Sequence, residues 1–321
     1  MKRTHSIAIL CASLLVLPGT VLSFDGPLQV RNQFALVVPF ASPYLESAAV
    51  QDAASVSVSH SSVYVTEQAP SWKVNMDFEL TELAVRLKKR VGDRTEVGID
   101  VPFIRYDEGY LDRPLANYHK ALGAGDYGRH ERPQNEFLYE LVRNGRPVIK
   151  AKSDTSGIGD ARLTFKQELT GGHPLVSILG SVELPTGDPK TGFGNGRYDG
   201  ACALLLDLDL GRTYRGYANA GAVFPGALKG YEIVPMHAYY YAGFGIEAAW
   251  WERFTVIVQT VAASSPYPIT GIRQVDSPGI LLVFGGRYAF GASSLEFSLT
   301  EDPSTAGAPD FIMNVSGKIR F

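Results

Sequence analysis

Cysteine is nearly absent: the 321 residues contain two. Cys11 lies in an apolar stretch at the amino terminus, so once that stretch is removed only Cys202 remains and no internal disulfide can form. None of the six histidines is spaced from another histidine or a cysteine as metal ligands are, so no metal site and no cofactor is expected. An excess of positive charge is missing too. The formal net charge of −3 excludes the basic footprint of a nucleic-acid-binding protein. Beyond the amino terminus, no stretch reaches the ~18 apolar residues of a transmembrane helix. Yet 45% of residues are hydrophobic and only 20% charged, the balance of a chain that folds.

An export signal opens the chain. Met1-Lys2-Arg3 is a positive head, Ile7 to Leu17 an apolar core too short to span a bilayer, and Pro18-Gly19 a break before Val21-Leu22-Ser23. Residues 1–23 therefore read as a secretory signal peptide cut before Phe24. An exported chain with neither helical anchor nor disulfide is either a soluble periplasmic protein or a barrel.

Period-two alternation in segments of about ten residues decides for the barrel, since a tilted strand needs that length to cross a membrane. In the last segment Phe311, Met313, Val315, Gly317, Ile319 and Phe321 share one face, while Asn314, Ser316, Lys318 and Arg320 share the other. A soluble sandwich writes the same alternation, but connection lengths separate the two. Tight connections near 91–94, 170–173, 211–212, 251–252 and 290–292 alternate with longer ones near 66–72, 105–156, 186–197, 225–235, 265–277 and 302–309. Short turns at one rim and long loops at the other mark an up-and-down barrel. The expectation is an all-β, transmembrane, antiparallel barrel of about twelve strands spanning residues 53–321. An even number puts both ends on the periplasmic side. Aromatics beside the turns (Tyr214, Trp250, Trp251, Tyr288) and beside the loops (Tyr64, Trp72, Phe103, Phe224) suit the two membrane interfaces. The terminal Phe321 resembles the carboxy-terminal signal by which the barrel-assembly machinery recognises its substrates. That machinery and outer-membrane lipids are the expected partners.

Several segments also resemble, in order, a family of uncharacterised exported bacterial barrels known as domain of unknown function 3187. They are GPLQVRNQFAL (Gly26–Leu36), DFEL (Asp77–Leu80), EVGIDVP (Glu96–Pro102), GYLDRPLANYHKALG (Gly109–Gly123), GRHERPQN (Gly128–Asn135), SGIGDARLTFKQ (Ser156–Gln167), ELPTGD (Glu183–Asp188) and TEDPSTAGAPDF (Thr300–Phe311). Gln29 and Ser62 depart from the pattern, which favours proline and asparagine there. The resemblance implies an outer-membrane location and brings no established activity.

Enzymatic chemistry finds little support. Gly123, Gly125 and Gly128 form a Gly-x-Gly-x-x-Gly string, but it follows no strand and opens no helix, so it reads as loop glycines. His60 and Ser62 share one face of the first strand, and Asn75 begins the next. A base beside a hydroxyl, oriented by an amide, is the logic of an activated serine, and it is similar to the arrangement of outer-membrane phospholipase A. The plainer reading is a serine-rich strand, and no catalytic residue is assigned.

The inward face carries more information. Counting alternation places Asp77, Glu79, Glu82, Arg86 and Lys88 in the lumen from the second strand, with a bulge near 81–83 to absorb a slip in parity. It adds Glu96, Asp100, Asp160, Arg162, Lys166 and Glu183, and then Asp207, Asp209, Arg215, Glu247, Arg287, Glu296, Lys318 and Arg320. Buried charges of mixed sign must pair, so they are either a structural network or a charged path for a small hydrophilic solute. Two segments are able to obstruct that path. Residues 24–52 precede the first strand, and counting Ala35-Leu36-Val37-Val38 as a strand would make the number odd; the segment belongs at the periplasmic rim or inside the lumen. In the long extracellular loop 105–156, Leu111, Leu115, Tyr118 and Leu122 fall on one face of a short helix with Pro114 in its first turn, and that face is expected to plug the mouth. The functional expectation is a non-enzymatic, narrow or gated passive channel for small hydrophilic solutes. The alternatives are a plugged structural or surface-binding barrel and, further off, a lipid hydrolase using His60 and Ser62.

Overall fold

A computed structural model of the chain describes residues 24–122 and 133–321. In chain order the elements are β1 (Ala53–Gln68), β2 (Trp72–Arg90), β3 (Thr95–Asp107), α1 (Asp112–Leu122), β4 (Leu138–Arg143), β5 (Arg146–Lys150), β6 (Ser156–Ile158), β7 (Ala161–Glu168), β8 (Leu175–Leu184), β9 (Asp199–Asp209) and β10 (Tyr214–Phe224). There follow β11 (Leu228–Lys229), β12 (Ile233–Val234), β13 (Tyr239–Ala248), β14 (Phe254–Ala263), α2 (Arg273–Asp276), β15 (Gly279–Phe290), β16 (Ser293–Glu301) and β17 (Phe311–Arg320). Twelve of the strands (β1–β3, β7–β10, β13–β17) pair antiparallel with their neighbours. The sheet closes where β1 meets β17, in register from Ala53↔Arg320 to Ser62↔Phe311. Closure removes the two edges that an open sheet would leave to aggregate.

Alternation separates the two faces. Val56, Val58, Leu83, Val85, Leu87, Phe165, Leu204, Phe284, Phe297, Val315 and Ile319 project outward and stay exposed, while their odd-even neighbours are buried. A continuous apolar belt of this kind has no place in water; it is the lipid face of a transmembrane barrel. The tight turns and both ends of the barrel lie at one rim, termed the inner rim below, and the long loops lie at the outer rim.

Three features differ from the sequence reading. First, the 66–72 connection is not a loop: β1 and β2 run on until only residues 69–71 separate them. Second, the 105–156 connection holds, besides α1, the β4–β5 hairpin, whose β4 pairs with the outer end of β2 from Trp72↔Arg143 to Asp77↔Leu138. Third, no bulge interrupts β2. Its register to β1 is unbroken from Ala53↔Lys88 to Gln68↔Lys73. Glu82, Arg86 and Lys88 therefore point inward with Met76, Phe78 and Leu80, whereas Asp77 and Glu79 share the outward face of Leu83, Val85 and Leu87. The slip in pattern marks the level at which the outer face changes its covering from lipid to protein.

Inside the barrel runs a strap, residues 24–52, with no strand in it. Its apolar run is a turn, not a strand: the Val37 and Val38 amides both donate to the Phe34 carbonyl, at 2.7 and 3.0 Å. Phe34, Leu36 and Phe40 pack in one cluster with Met76, Phe78, Leu80, Tyr106 and Tyr139, and with Leu141 and Ile149 of the β4–β5 hairpin. The outer half of the lumen is thereby filled with side chains of core character.

Candidate functional site

A strap without a ladder must find partners for its backbone groups elsewhere, because unpaired peptide groups in a dry interior are costly. The wall side chains supply them. The Leu28 amide donates to the Gln259 side chain at 2.9 Å, and the Gln259 amide returns a bond to the Leu28 carbonyl at 2.8 Å. Asp207 accepts from the Ala48 amide at 2.8 Å and the Ser47 hydroxyl at 2.6 Å. Glu96 accepts from the Gln51 amide at 2.7 Å and pairs with Lys166 at 3.2 Å. Lys166 also reaches the Ala49 carbonyl, and Arg162 the Ser42 carbonyl. Near the outer rim the Tyr139 hydroxyl donates to the Ala35 carbonyl at 2.9 Å and the Tyr239 hydroxyl to that of Ala41 at 3.1 Å.

The strap's own charged groups lock into the same wall. Arg31 Nε donates to Glu82 at 2.9 Å. Glu46 binds Lys88 at 2.5 Å. Tyr44 donates to Asp100 at 2.9 Å, accepts from Arg86 at 2.8 Å, and has the guanidiniums of Arg86 and Arg162 on its ring. At the inner rim Asp25 gathers Lys318 at 2.6 Å and Arg320 at 2.8 Å. Arg287 holds the Gly26 carbonyl, Glu296 at 2.7 Å and Glu247. Burial alone would raise the Asp25 carboxyl, but Lys318, Arg287 and Arg320 outweigh it and hold the group down at about 2.

Twelve residues assigned to the lumen from the sequence thus meet on the strap: Glu82, Arg86, Lys88, Glu96, Asp100 and Arg162, then Lys166, Asp207, Glu247, Arg287, Lys318 and Arg320. Glu183 is buried opposite Asp199 and Arg162 on the adjoining strands. Arg215 stands at the inner rim over the Phe24 ring, near Asp209. Asp160 serves the outer rim, where it accepts from the Gly187 and Asn195 amides at 2.7 and 3.1 Å and so fixes the 185–198 connection. The strap residues Asp25, Arg31, Tyr44 and Glu46 escaped the sequence reading because alternation, which singled out their partners, is silent in a segment that is not a strand.

Asp77 and Glu79 are a correction: they lie outside the lumen. Glu79 accepts the Tyr110 amide at 2.7 Å and the Leu111 amide, and binds His60 Nε2 at 2.7 Å. The Tyr110 ring stacks on His60. Gly109, at φ +70°, admits this approach, since a side chain there would run into the Glu79 carboxylate. The beginning of α1 is therefore anchored on the outside of the wall, not in the mouth. Leu111 and Leu115 are buried there; the side chains of Tyr118 and Leu122 lie outside the described residues. Both His60 ring nitrogens are committed, Nδ1 to Thr81 at 2.8 Å and Nε2 to Glu79, which takes the base away from Ser62. Among the described residues no cluster has the makings of a metal site. A cavity of about 380 Å³ opens at the inner mouth between Phe24, Gln51, Arg90, Arg215, Tyr217 and Phe321.

A closed barrel with a strapped lumen and this sequence has relatives. A family model described as protein of unknown function (DUF3187) matches residues 9–321. The chain belongs to that family. Among curated proteins none matches it significantly. The COG4313 outer membrane channel from Pseudomonas putida F1 is similar in structure, with a TM-score of 0.58, 18% identity, and 86% of this chain covering 98% of that one. That likeness shows an outer-membrane β-barrel fold. The NanC porin aligns at a TM-score of 0.48 with 7% identity (84% of this chain, 98% of that one). A Pseudomonas aeruginosa FadL homologue aligns at 0.43 with 10% identity (92% and 100%).

Proposed function

We propose that this DUF3187 protein is a non-enzymatic, passive outer-membrane channel for small hydrophilic solutes, shut by residues 24–52 and opened when that strap gives way. The observation that carries the reading is the strap itself. It is held by side chains, not by a β-ladder, so it is separable from a wall that is already closed without it. The fold it shares with an outer membrane channel supports the same reading. In the proposed orientation the inner rim faces the periplasm, residues 1–23 direct export, and Phe321, exposed at the inner rim, is read by the assembly machinery. The start of α1 is anchored outside the lumen wall and takes no part in gating, whereas the β4–β5 hairpin of the same loop helps to hold the outer half of the strap.

Planar bilayers test the reading. Full-length protein should be closed or conduct rarely, and a variant lacking 24–52 but retaining the export signal should give steady steps. A strapless barrel that assembles, judged by faster migration on unboiled gels, and is silent at all voltages would defeat the channel. The outer half, packed as tightly as a protein core around Tyr106 and Tyr139, favours the second reading, a permanently plugged surface module. Silence of both forms is its signature.

A further inference from the structure

The strap does not grip all of the wall. None of its hydrogen bonds described above goes to β1 or β16, and those to β17 reach only Lys318 and Arg320 at the inner rim. Apart from Ile312 and, nearer the inner rim, Glu296, Lys318 and Arg320, the inward positions beside Ser57–Ser61 are small and uncharged: Ser57, Ser59 and Ser61 on β1, Ser298 and Thr300 on β16, Asn314 and Ser316 on β17. Register sets them side by side, Ser59↔Asn314↔Ser298 at one level and Ser61↔Ile312↔Thr300 at the next.

Many of their polar atoms are unused. The hydroxyls of Ser61, Ser294, Ser298 and Thr300 and the Asn314 side-chain nitrogen are buried without a hydrogen-bond partner among the described residues. Natural interiors satisfy nearly all such groups, so a contiguous set of exceptions needs an explanation. The strap does not provide one, because it turns Leu28 and Val30 to this side, in an apolar cluster with Leu281, Val283 and Ile312. The charges at the inner end of the strip are taken: Glu296 by Arg287, Lys318 and Arg320 by Asp25.

We propose that this hydroxyl-bearing wall of β16, β17 and β1 is the solute route, and that its solute is a small uncharged polyhydroxylated molecule of the sugar or polyol class. The inference rests on the channel reading above and adds where the solute runs and what it is. The free groups of Ser61, Ser298, Thr300 and Asn314 lie beside two that are already bonded, Ser59, which donates to Asn314 Oδ1 at 2.8 Å, and Ser57, which accepts from Arg86 at 3.0 Å. Strands stand ~4.8 Å apart and like-facing residues ~6.8 Å apart, a spacing suited to hand one hydroxyl group to the next. An ion gains little from it, since the charges able to pair with an ion are already engaged, Glu296 by Arg287 of the wall and Lys318 and Arg320 by Asp25 of the strap. The strap needs only to release the Leu28–Gln259 pair and lift Leu28 and Val30 from this side, keeping its bonds to β7, β8, β9 and β10.

The test uses the full chain in proteoliposomes with Cys202→Ser as background. Single cysteines at Ser61 and Ser298 are compared with single cysteines at Ser177 and Asn219, which the strap covers with hydrogen bonds. Methyl methanethiosulfonate, small and uncharged, should modify the first pair at least an order of magnitude faster. Liposome swelling, measured with the full chain and with a chain lacking residues 24–52, should be slow in the first and fast in the second, and in both glycerol and arabinose should enter faster than a dicarboxylate of similar size. Blocking Ser298→Cys after assembly with benzyl methanethiosulfonate should cut that uptake by an order of magnitude, a result independent of whether a bulky residue there can fold. Equal modification of the two walls, or full uptake after blocking, overturns the route. Faster entry of the dicarboxylate overturns the solute class. No uptake of any solute, with or without residues 24–52, removes the channel reading and this inference together.

Discussion

The inner and outer halves of the lumen are filled by the same strap but held by opposite chemistry. Toward the inner rim Asp25, Arg31 and Glu46 sit in a web of ion pairs with Lys318, Arg320, Glu82 and Lys88. Toward the outer rim Phe34, Leu36 and Phe40 lie among aromatic rings, with Phe78 stacked on Tyr139 and edge-on to Tyr106. A packed aromatic cluster excludes water and loses strength gradually as contacts are trimmed. A buried ionic web behaves otherwise: intact it adds little net stability, yet removing one partner leaves a bare charge. In the proposed channel the strap is thus seated by its outer half and switched by its inner half.

The largest effect should come from Arg287→Met. It deprives Glu247 and Glu296 of their shared partner and frees the Gly26 carbonyl. Breaking a buried pair costs about 3–5 kcal/mol, to be read from urea unfolding in detergent micelles. A loss no larger than that of a surface arginine would mean that the inner web is not a unit. The wall itself should respond next. Val315→Arg puts a charge on the lipid face at a cost of about 2–4 kcal/mol, whereas Ser316→Arg points into the lumen and should assemble better. Equal assembly of the two would mean the wrong face assignment. Tyr139→Phe should be milder, removing one bond to the strap for about 1 kcal/mol. Its effect should appear as faster hydrogen exchange around Ala35, with the inner half unchanged.

Acid distinguishes the halves most gently. The Asp25 carboxyl is lowered, so the stability it adds is fully present above its unfolded value of about 3.9 and is lost as pH falls through about 2. Conductance should therefore hold steady from neutrality down to mildly acid solution and rise only in strong acid. Asp25→Asn should abolish that rise. Opening near neutrality in the wild type would point to another group.

The wall was legible because each strand repeats one binary choice, lipid or lumen, about ten times over. Lys318 and Arg320 against Val315 and Ile319 show how little else is needed. Legibility failed where a third environment entered. Asp77 and Glu79 obey the alternation, but the outward face there meets the 108–111 backbone and not lipid, so charge no longer marks the inside. The strap failed for a different reason. Its partners are spread over β2, β3, β7 to β10, β13 to β15 and β17, and no local pattern in residues 24–52 encodes a fit to ten separate strands.

The strap enters at the inner rim beside Arg320, rises to Phe34 and Phe40, and returns to the same rim at Gln51, which Lys318 also holds. Both of its ends are therefore on one side, and it is a folded-back loop, never threaded through the pore. A pull on Phe24 from that side would load its attachments one after another, as in peeling tape, and not all together, as in shearing a glued joint. The force needed is then set by the strongest single attachment, not by their sum. In the proposed channel, a tug from the inner-rim side would therefore clear the lumen at a lower force than breaking all the attachments together.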